Sequence, residues 1–367
     1  MGKKFTIGVL IGNVHTAHPK DLMRGIRAAA SGMDVNVIYF LGTQSVRFNQ
    51  KFALEDFDYQ YNTVYDYAKL AKVDVLIIAY GSLCIFQKNE DKQAFLDKFA
   101  GIPYVLLEDA TDDPRGIYVM VDNFGGMQKC VEHLIIEHHL KHLVYLGGPE
   151  DNQDAIERKA AFLNVMAEHH LPVTPEMMAV GDYSEFVDNL VEQLLKDNPD
   201  AEAIISANDE MTVACYRVCK AHGLRIGKDI LITGFDDVER ARYSNPPLTT
   251  VSQDAYKMGQ IAVEKAVDIC AGRPVESVRL DAELIIRESC GCKVTRRAKE
   301  KADEKTELLH IIDELRLFQH KSWLGPFLIR DLMQEAENEK SFYRKSGEVF
   351  YHLGIRSSLL YLLEQPV

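Results

Sequence analysis

The stretch Ala203 to Asp237, AIISANDEMTVACYRVCKAHGLRIGKDILITGFDD, is the tightest constraint on what this chain can fold into. An apolar run from Ala203 to Ser206 gives way to Asn208 and Asp209, residue types that start helices, and a second run from Ile230 to Thr233 stops at Gly-Phe-Asp-Asp. Short runs rich in Ile, Leu and Val with a helix between them fit strands buried on both faces of a parallel sheet. Polar residues stand just past the carboxyl end of each strand. That edge is where open parallel sheets bind ligands, beside helix N-termini. Asn208 and Asp236 are therefore the first candidate site residues. The competing account makes Asn208 or Asp209 only a helix cap and Asp236 only a turn residue.

The same alternation runs through most of the chain. Strands are predicted at Phe5–Ile11, Val35–Phe40, Val75–Ala79 and Tyr104–Leu107, with helices over Pro19–Ala30, roughly 57–71 and near 90–100, and a polar, aromatic insertion at 41–56. A second series starts after Asp122: a helix at Phe124–Glu137, a strand at Leu143–Leu146, a helix at Asp154–His169, a short strand near Met178–Val180 and a helix at Ser184–Lys196 lead into the opening stretch. Repeated β-α-β units make parallel sheets with right-handed crossovers. After Pro246-Pro247, Leu248 to Ser252 is expected to return to the first lobe, followed by a helix over 254–271 and strands around 277–287.

The bulk properties narrow the function class. At 367 residues the chain has room for two lobes and an appendage. Its net charge of −13 argues against this chain itself contacting nucleic acid, because holding phosphates needs a basic face. Seven cysteines, at 84, 130, 215, 219, 270, 290 and 292, are too few and too scattered for a disulfide framework, which fits a reducing cytoplasm. The opening MGKKFTIGVLIGN runs straight into Asn13 and His15 without a cleavage site, so it reads as the first strand, and no stretch approaches the ~20 apolar residues of a membrane span. Beyond Cys290-Gly291-Cys292 the composition changes: residues 293–307 are dense in both charges, and Leu308, Ile311, Leu315 and Phe318 recur at helical spacing.

Five segments in order carry a resemblance: VDNFGGMQKCVEHLI at 121–135, HLVYLGGPEDNQDAIERKAAF at 142–162, AIISANDEMTVA at 203–214, ILITGFDD at 230–237 and PPLTTVSQDAYKMGQIAVE at 246–264. Over roughly residues 5–292 the chain resembles the ligand-sensing core of the LacI/GalR family, which shares the type I periplasmic binding protein fold. The resemblance implies an α/β fold of two Rossmann-like lobes with parallel sheets, 1–122 with 253–282 and 123–252 with 283–292, followed by a mainly helical extension over 293–367. Family members that repress transcription carry a helix-turn-helix head of about 60 residues before the first strand, and here that strand begins at Phe5. The ending RESCGC is similar to a branch in which the core joins a downstream signalling output.

Carried over by position, the resemblance nominates Asp122 at the lobe connection, Arg158, Asn208 and Asp236 as ligand contacts, with His15 and His18 in the first-lobe loop, Ser82 in a binding turn and Tyr183 as a ring over the ligand. Carboxylates and an amide accept hydroxyl hydrogens while an arginine fork grips paired oxygens. The implied ligand is a sugar, a nucleoside or a small acid. Between Asn208 and Asp209, Asp209 is expected to be the structural cap.

Metal and catalytic readings are set aside. His133, His138, His139 and His142 cluster at a helix end without a ligand partner at convincing spacing, and Cys290-Gly-Cys292 has no second pair. No cofactor motif, nucleophile elbow or zincin helix occurs, so no enzyme and no cofactor is expected. The expected protein is a cytoplasmic, homodimeric small-molecule sensor whose lobes close by a hinge and signal through 293–367, without membrane contact. The alternatives are a LacI-type regulator whose DNA head is missing or on another chain, and a transporter's solute-binding protein. Replacing Arg158 or Asp236 with Ala is expected to abolish ligand-induced thermal stabilisation while leaving the fold intact, as read by thermal shift.

Overall fold

Runs of four wholly buried residues recur along the chain, and each lies inside a sheet covered on both faces. The computed structural model describes residues 4–14, 16–43, 58–85, 87, 89–111 and 113–293. In chain order the first lobe contains β1 (Phe5–Gly12), α1 (Ala17–Ser31), β2 (Val35–Gly42), α2 (Asp58–Leu70), β3 (Val75–Ile78), a single turn α3 (Tyr80–Leu83), α4 (Asn89–Asp97), β4 (Tyr104–Leu107) and β5 (Gly116–Val121). The chain then builds α5 (Asn123–Ile136), β6 (Leu143–Gly147), α6 (Gln153–Glu168), β7 (Met178–Val180), α7 (Asp188–Asp197), β8 (Ala203–Ser206), α8 (Asp209–Ala221), β9 (Leu231–Asp236), α9 (Glu239–Tyr243) and β10 (Thr249–Ser252). Last come α10 (Ala255–Cys270), β11 (Val278–Leu280) and β12 (Glu283–Ile285).

The strands form two six-stranded sheets, β11-β5-β4-β3-β1-β2 and β12-β10-β9-β8-β6-β7. Every neighbouring pair is parallel except β10 with β12, which is antiparallel. Both sheets place the first strand of their series between the second and the third, so each has a switch point at which a crevice opens beyond the strand ends. The sheets account for the sequence pattern: β3, β4, β6 and β8 are buried at every position, as strands between two helical layers must be.

The chain passes between the sheets three times, after β5 at Asp122, between β10 and α10, and between β11 and β12. One expectation is corrected here. Residues 249–252 do not return to the first lobe: β10 pairs with β9 through Thr249–Thr233 to Ser252–Asp236, and the return is made by α10. Four elements also lay outside the sequence expectation, β5, α3, a 3-10 turn at Pro175–Met177 and α9. The C-terminal extension over 294–367, the insertion at 44–57 and His15 lie outside the described residues. Among those described, no helix is long and apolar enough to cross a membrane.

In the first lobe α10 lies against α1 at backbone distance. Gly25 and Gly259 make this possible: a Cβ on Gly25 would land on the Tyr256 carbonyl oxygen, and one on Gly259 on the Leu22 carbonyl oxygen. Because neither collision involves a side chain that can swing away, Gly25→Ala is expected to lower stability by roughly 1–3 kcal/mol. Urea denaturation reads this directly, and an unchanged midpoint would contradict the seam.

Candidate functional site

Arg158 sits one turn after Asp154 on α6, so both side chains project from one face of that helix. Its guanidinium is almost fully enclosed, at 2% exposure. Nε donates to Asn123 Oδ1 at 2.8 Å and Nη1 donates to the Ala207 carbonyl at 2.6 Å. The plane of the group lies over Phe235, 3.8 Å from the ring centre, a cation–π arrangement. Asp154 at 3.5 Å and Asp236 at 3.6 Å supply the counter-charge. Asn123 starts α5, Ala207 follows β8, and Asp236 ends β9 with φ of 123°, an unusual backbone state for a residue with a side chain. The site is thus built at the carboxyl edge of the second sheet.

Burial raises the Asp154 carboxyl to about 7, with Arg158 opposing. Asp236 is raised by the same cause, against the pull of Arg158 and His18, and its Oδ1 accepts a short hydrogen bond from Gln253 at the second crossover. Tyr183, held at φ 64°, stacks on Gly148, where any Cβ would strike its ring, and its hydroxyl lies 3.4 Å from Asn152 Oδ1.

The first lobe presents a second polar group. Glu108, buried just after β4, accepts from the Ser82 backbone N–H at 2.8 Å and from the Ser82 hydroxyl, and its other oxygen is 2.6 Å from His18 Nε2. Burial works against a charged imidazole, but the Glu108 carboxylate and its hydrogen bond outweigh it, lifting His18 from 6.5 to about 9. Burial would raise Glu108; the His18 charge and the His18 and Ser82 hydrogen bonds lower it instead. His18 also feels Asp236 and Asp154 across the gap. Lys92 pairs with Asp109 at 2.8 Å and reaches the Asp151 carbonyl of the second lobe at 3.5 Å. Beside His18 and Asp236 opens a cavity of ≈ 210 Å³, floored by Asp254 and Tyr256, below the roughly 300–1,000 Å³ common for drug-sized ligands.

The structure therefore brings together Arg158, Tyr183 and Asp236, and faces them with His18 and, through Glu108, Ser82. His18 belongs to the first turn of α1 rather than to the preceding loop. Asp122 stays at the crossover, where its side chain caps α5 by accepting from Gly125 N; the next residue, Asn123, is the one that holds Arg158. Asn208 is the N-cap of α8, accepting from Met211 N at 3.0 Å while its Nδ2 donates to the Tyr183 carbonyl. The expectation that Asp209 is the cap is thus corrected: Asp209 ties β9 to β10, accepting from Val238 N and the Thr250 hydroxyl. Asn123 Nδ2 also donates to Asp154 Oδ1 at 2.8 Å, so Arg158→Ala would leave the Ala207 carbonyl without this donor and Asp154 without its counter-charge, and is expected to cost stability as well as ligand binding. Glu108, Asn123 and Asp154 escape the sequence reading, although Glu108 obeys the strand-end rule that selects Asp236, and Asp154 is four residues before Arg158.

Away from the cleft, donor atoms of His133, His138, Cys290 and Cys292 all lie within 4.8 Å of one another. The sequence offers these histidines no partner at a convincing spacing; in the fold the thiols arrive from the far end of the core.

The periplasmic binding protein-like domain model matches residues 131–290. The chain is 30% identical over 216 residues to the HTH-type transcriptional regulator CelR of Thermobifida fusca, which covers 56% of this chain and 62% of that protein. It is 29% identical over 198 residues to the HTH-type transcriptional repressor PurR of Aliivibrio fischeri strain MJ11, covering 53% and 56%. The chain spans a little over half the length of these curated relatives, which are regulators and not enzymes. Among solved structures, a CelR–cellobiose complex superposes with a TM-score of 0.66 at 23% identity over 77% of this chain and 84% of that one. A lac repressor dimer bound to operator and the anti-inducer ONPF gives 0.66 at 24% identity over 78% and 82%. The fold is the two-lobed one of the periplasmic binding protein-like type. Within that class the chain is similar to the ligand-sensing cores of LacI/GalR-family regulators.

His18 holds its proton more tightly folded than unfolded, so the stability it contributes is complete below pH 6.5 and is lost as the pH rises to about 9. In denaturation across pH 6 to 9.5, the gap between the wild type and His18→Gln should start at up to about 3 kcal/mol and close toward the alkaline end. A gap that does not change with pH would refute the pairing with Glu108.

Proposed function

We propose that the core binds a small, uncharged, polyhydroxylated ligand, a sugar or a nucleoside, between its lobes and reports it to a regulatory output. The observation that carries this reading is the charge count of the cleft. Glu108, Asp154 and Asp236 face His18 and Arg158, the other cations at the gap, Lys92, Arg24 and Arg242, are each paired with an acid of their own, Asp109, Asp21 and Asp237, and most of the Arg158 fork is committed to Asn123, Ala207 and Phe235. An added carboxylate would meet an excess of acids, whereas hydroxyls would find acceptors in Asp154 and Asp236. The solved CelR relative with cellobiose supports the same class. The contacts are His18, Arg158, Tyr183 and Asp236, to which we add Asp154; Ser82, Asn208 and Asp122 hold the frame, and His15 stays a candidate.

The lobes run over 1–122 with 253–282 and 123–252 with 283–292. Ligand bridging them favours the closed form by its differential affinity for that form. The protein works in the cytoplasm, as a homodimer, and passes the change on through 293–367. A second reading, a transcriptional regulator whose DNA-binding part is elsewhere in the protein or on a partner, is favoured by the HTH-type relatives.

A thermal-shift screen of neutral mono- and disaccharides, nucleosides, sugar acids and amino acids tests the ligand class. A neutral polyol should stabilise the protein, by about 2.7 kcal/mol at a hundredfold excess over its Kd, and Asp236→Asn should weaken it at least about tenfold. Stabilisation by acids alone, or full retention in Asp236→Asn, would sink the reading.

A further inference from the structure

His133 occupies the last turn of α5 and His138 follows just beyond its end, while Cys290 and Cys292 flank Gly291 after β12. Cys292 lies 159 residues from His133 and 154 from His138 in sequence, yet the side chains of the two pairs converge. His133 Nε2 and His138 Nε2 are 3.3 Å apart. Cys292 Sγ is 3.6 Å from the first and 3.4 Å from the second. Cys290 is fully buried, and its sulfur completes the group within the same 4.8 Å.

The three separations among His133, His138 and Cys292 are those of a tetrahedron around one ion, and Cys290, whose thiol donates to the Arg287 carbonyl at 3.3 Å, stands close enough to turn in as the fourth corner. With zinc–sulfur bonds of about 2.3 Å and zinc–nitrogen bonds of about 2.0–2.1 Å, a tetrahedral site has nitrogen–nitrogen edges of about 3.3 Å and sulfur–nitrogen edges of about 3.6 Å. A hydrogen bond between two imidazoles explains one of the edges but not the approach of a thiol to both nitrogens. Two nitrogens and two sulfurs in tetrahedral array select zinc among the common divalent ions. The histidine spacing H-x4-H lies within the usual range for such sites, and C-x-C is shorter than usual. Gly291 makes the short spacing workable: at φ 86° it turns the chain back between the two thiols, its N–H donating to the Glu288 carbonyl.

We propose that His133, His138, Cys290 and Cys292 bind one structural Zn²⁺. The ion fastens the end of the sensing core to α5, the helix that begins at the first crossover, and so fixes the point from which the chain continues at Lys293. All four positions are filled by protein, so the site is closed to substrate and its role is structural.

The test is metal analysis of the full chain, purified with a tag that carries no histidines and without chelator. Close to one zinc per chain is expected, and replacement by Co²⁺ should give the intense visible bands of tetrahedral cobalt with a thiolate charge-transfer band. His138→Gln and Cys292→Ser, both at partly exposed positions, should lose the stoichiometric zinc while keeping the far-ultraviolet circular dichroism of the wild type. Adding a strong chelator should lower the wild-type melting temperature and leave the Cys292→Ser melting temperature unchanged. Protein without zinc that takes up no Co²⁺ would overturn the proposal, as would zinc retained by a folded His138→Gln, Cys292→Ser double variant. A Cys290–Cys292 disulfide in freshly isolated, metal-free protein would overturn it as well.

Discussion

A single positive charge buried at the edge of the second sheet sets the terms for much of what surrounds it. An isolated guanidinium in an apolar interior is prohibitively costly, and attraction to acids offsets that cost only when its N–H groups are also satisfied. Arg158 meets the condition by drawing on four separate segments: the start of α5, the face of α6, the end of β8 and the end of β9. Their partners are an amide oxygen from α5, a backbone carbonyl after β8, carboxylates from α6 and β9, and an aromatic face from β9. The segments must therefore be in register before the charge can be enclosed, which makes this residue a check on the assembly of the lobe as well as a feature of its cleft.

The opposite wall follows the same rule with the sign reversed. There the buried charge is the Glu108 carboxylate, and it is satisfied by Ser82 and by the imidazolium of His18. The two walls are electrostatically linked, since His18 is influenced by Asp236 and Asp154. Burial pushes the Asp154 carboxyl up to about 7 against the pull of Arg158.

The strands were the legible part of the fold, because a parallel sheet covered on both faces leaves unbroken apolar runs in the sequence. β5 was not, since GIYVMV runs straight into Asp122 and the start of the next helix with no punctuation. The sheet to which β10 belongs is decided by pairing with β9, a choice that no local pattern records. In the site, Arg158 and Asp236 stood out by motif and position. The Asp122–Asn123 pair shows the limit of that approach: adjacent residues on a helix start point in different directions, and the one facing Arg158 is the plainer of the two. The convergence of His133 and His138 with Cys290 and Cys292 lies further beyond local reading, since neither half has ligand character until the fold closes the distance.

The seam between α1 and α10 has a mechanical side. The first turn of α1 carries His18, and α10 begins immediately after the second crossover, next to Gln253, which bonds Asp236. At Gly25 and Gly259 the helices come to backbone contact, with no side chain of their own to give at those two points. A soft interface would absorb a small displacement of the first-turn histidine by rotamer changes. A stiff one transmits it, so α1 and α10 form a short, rigid lever with one end in the cleft and the other on the chain that joins the lobes.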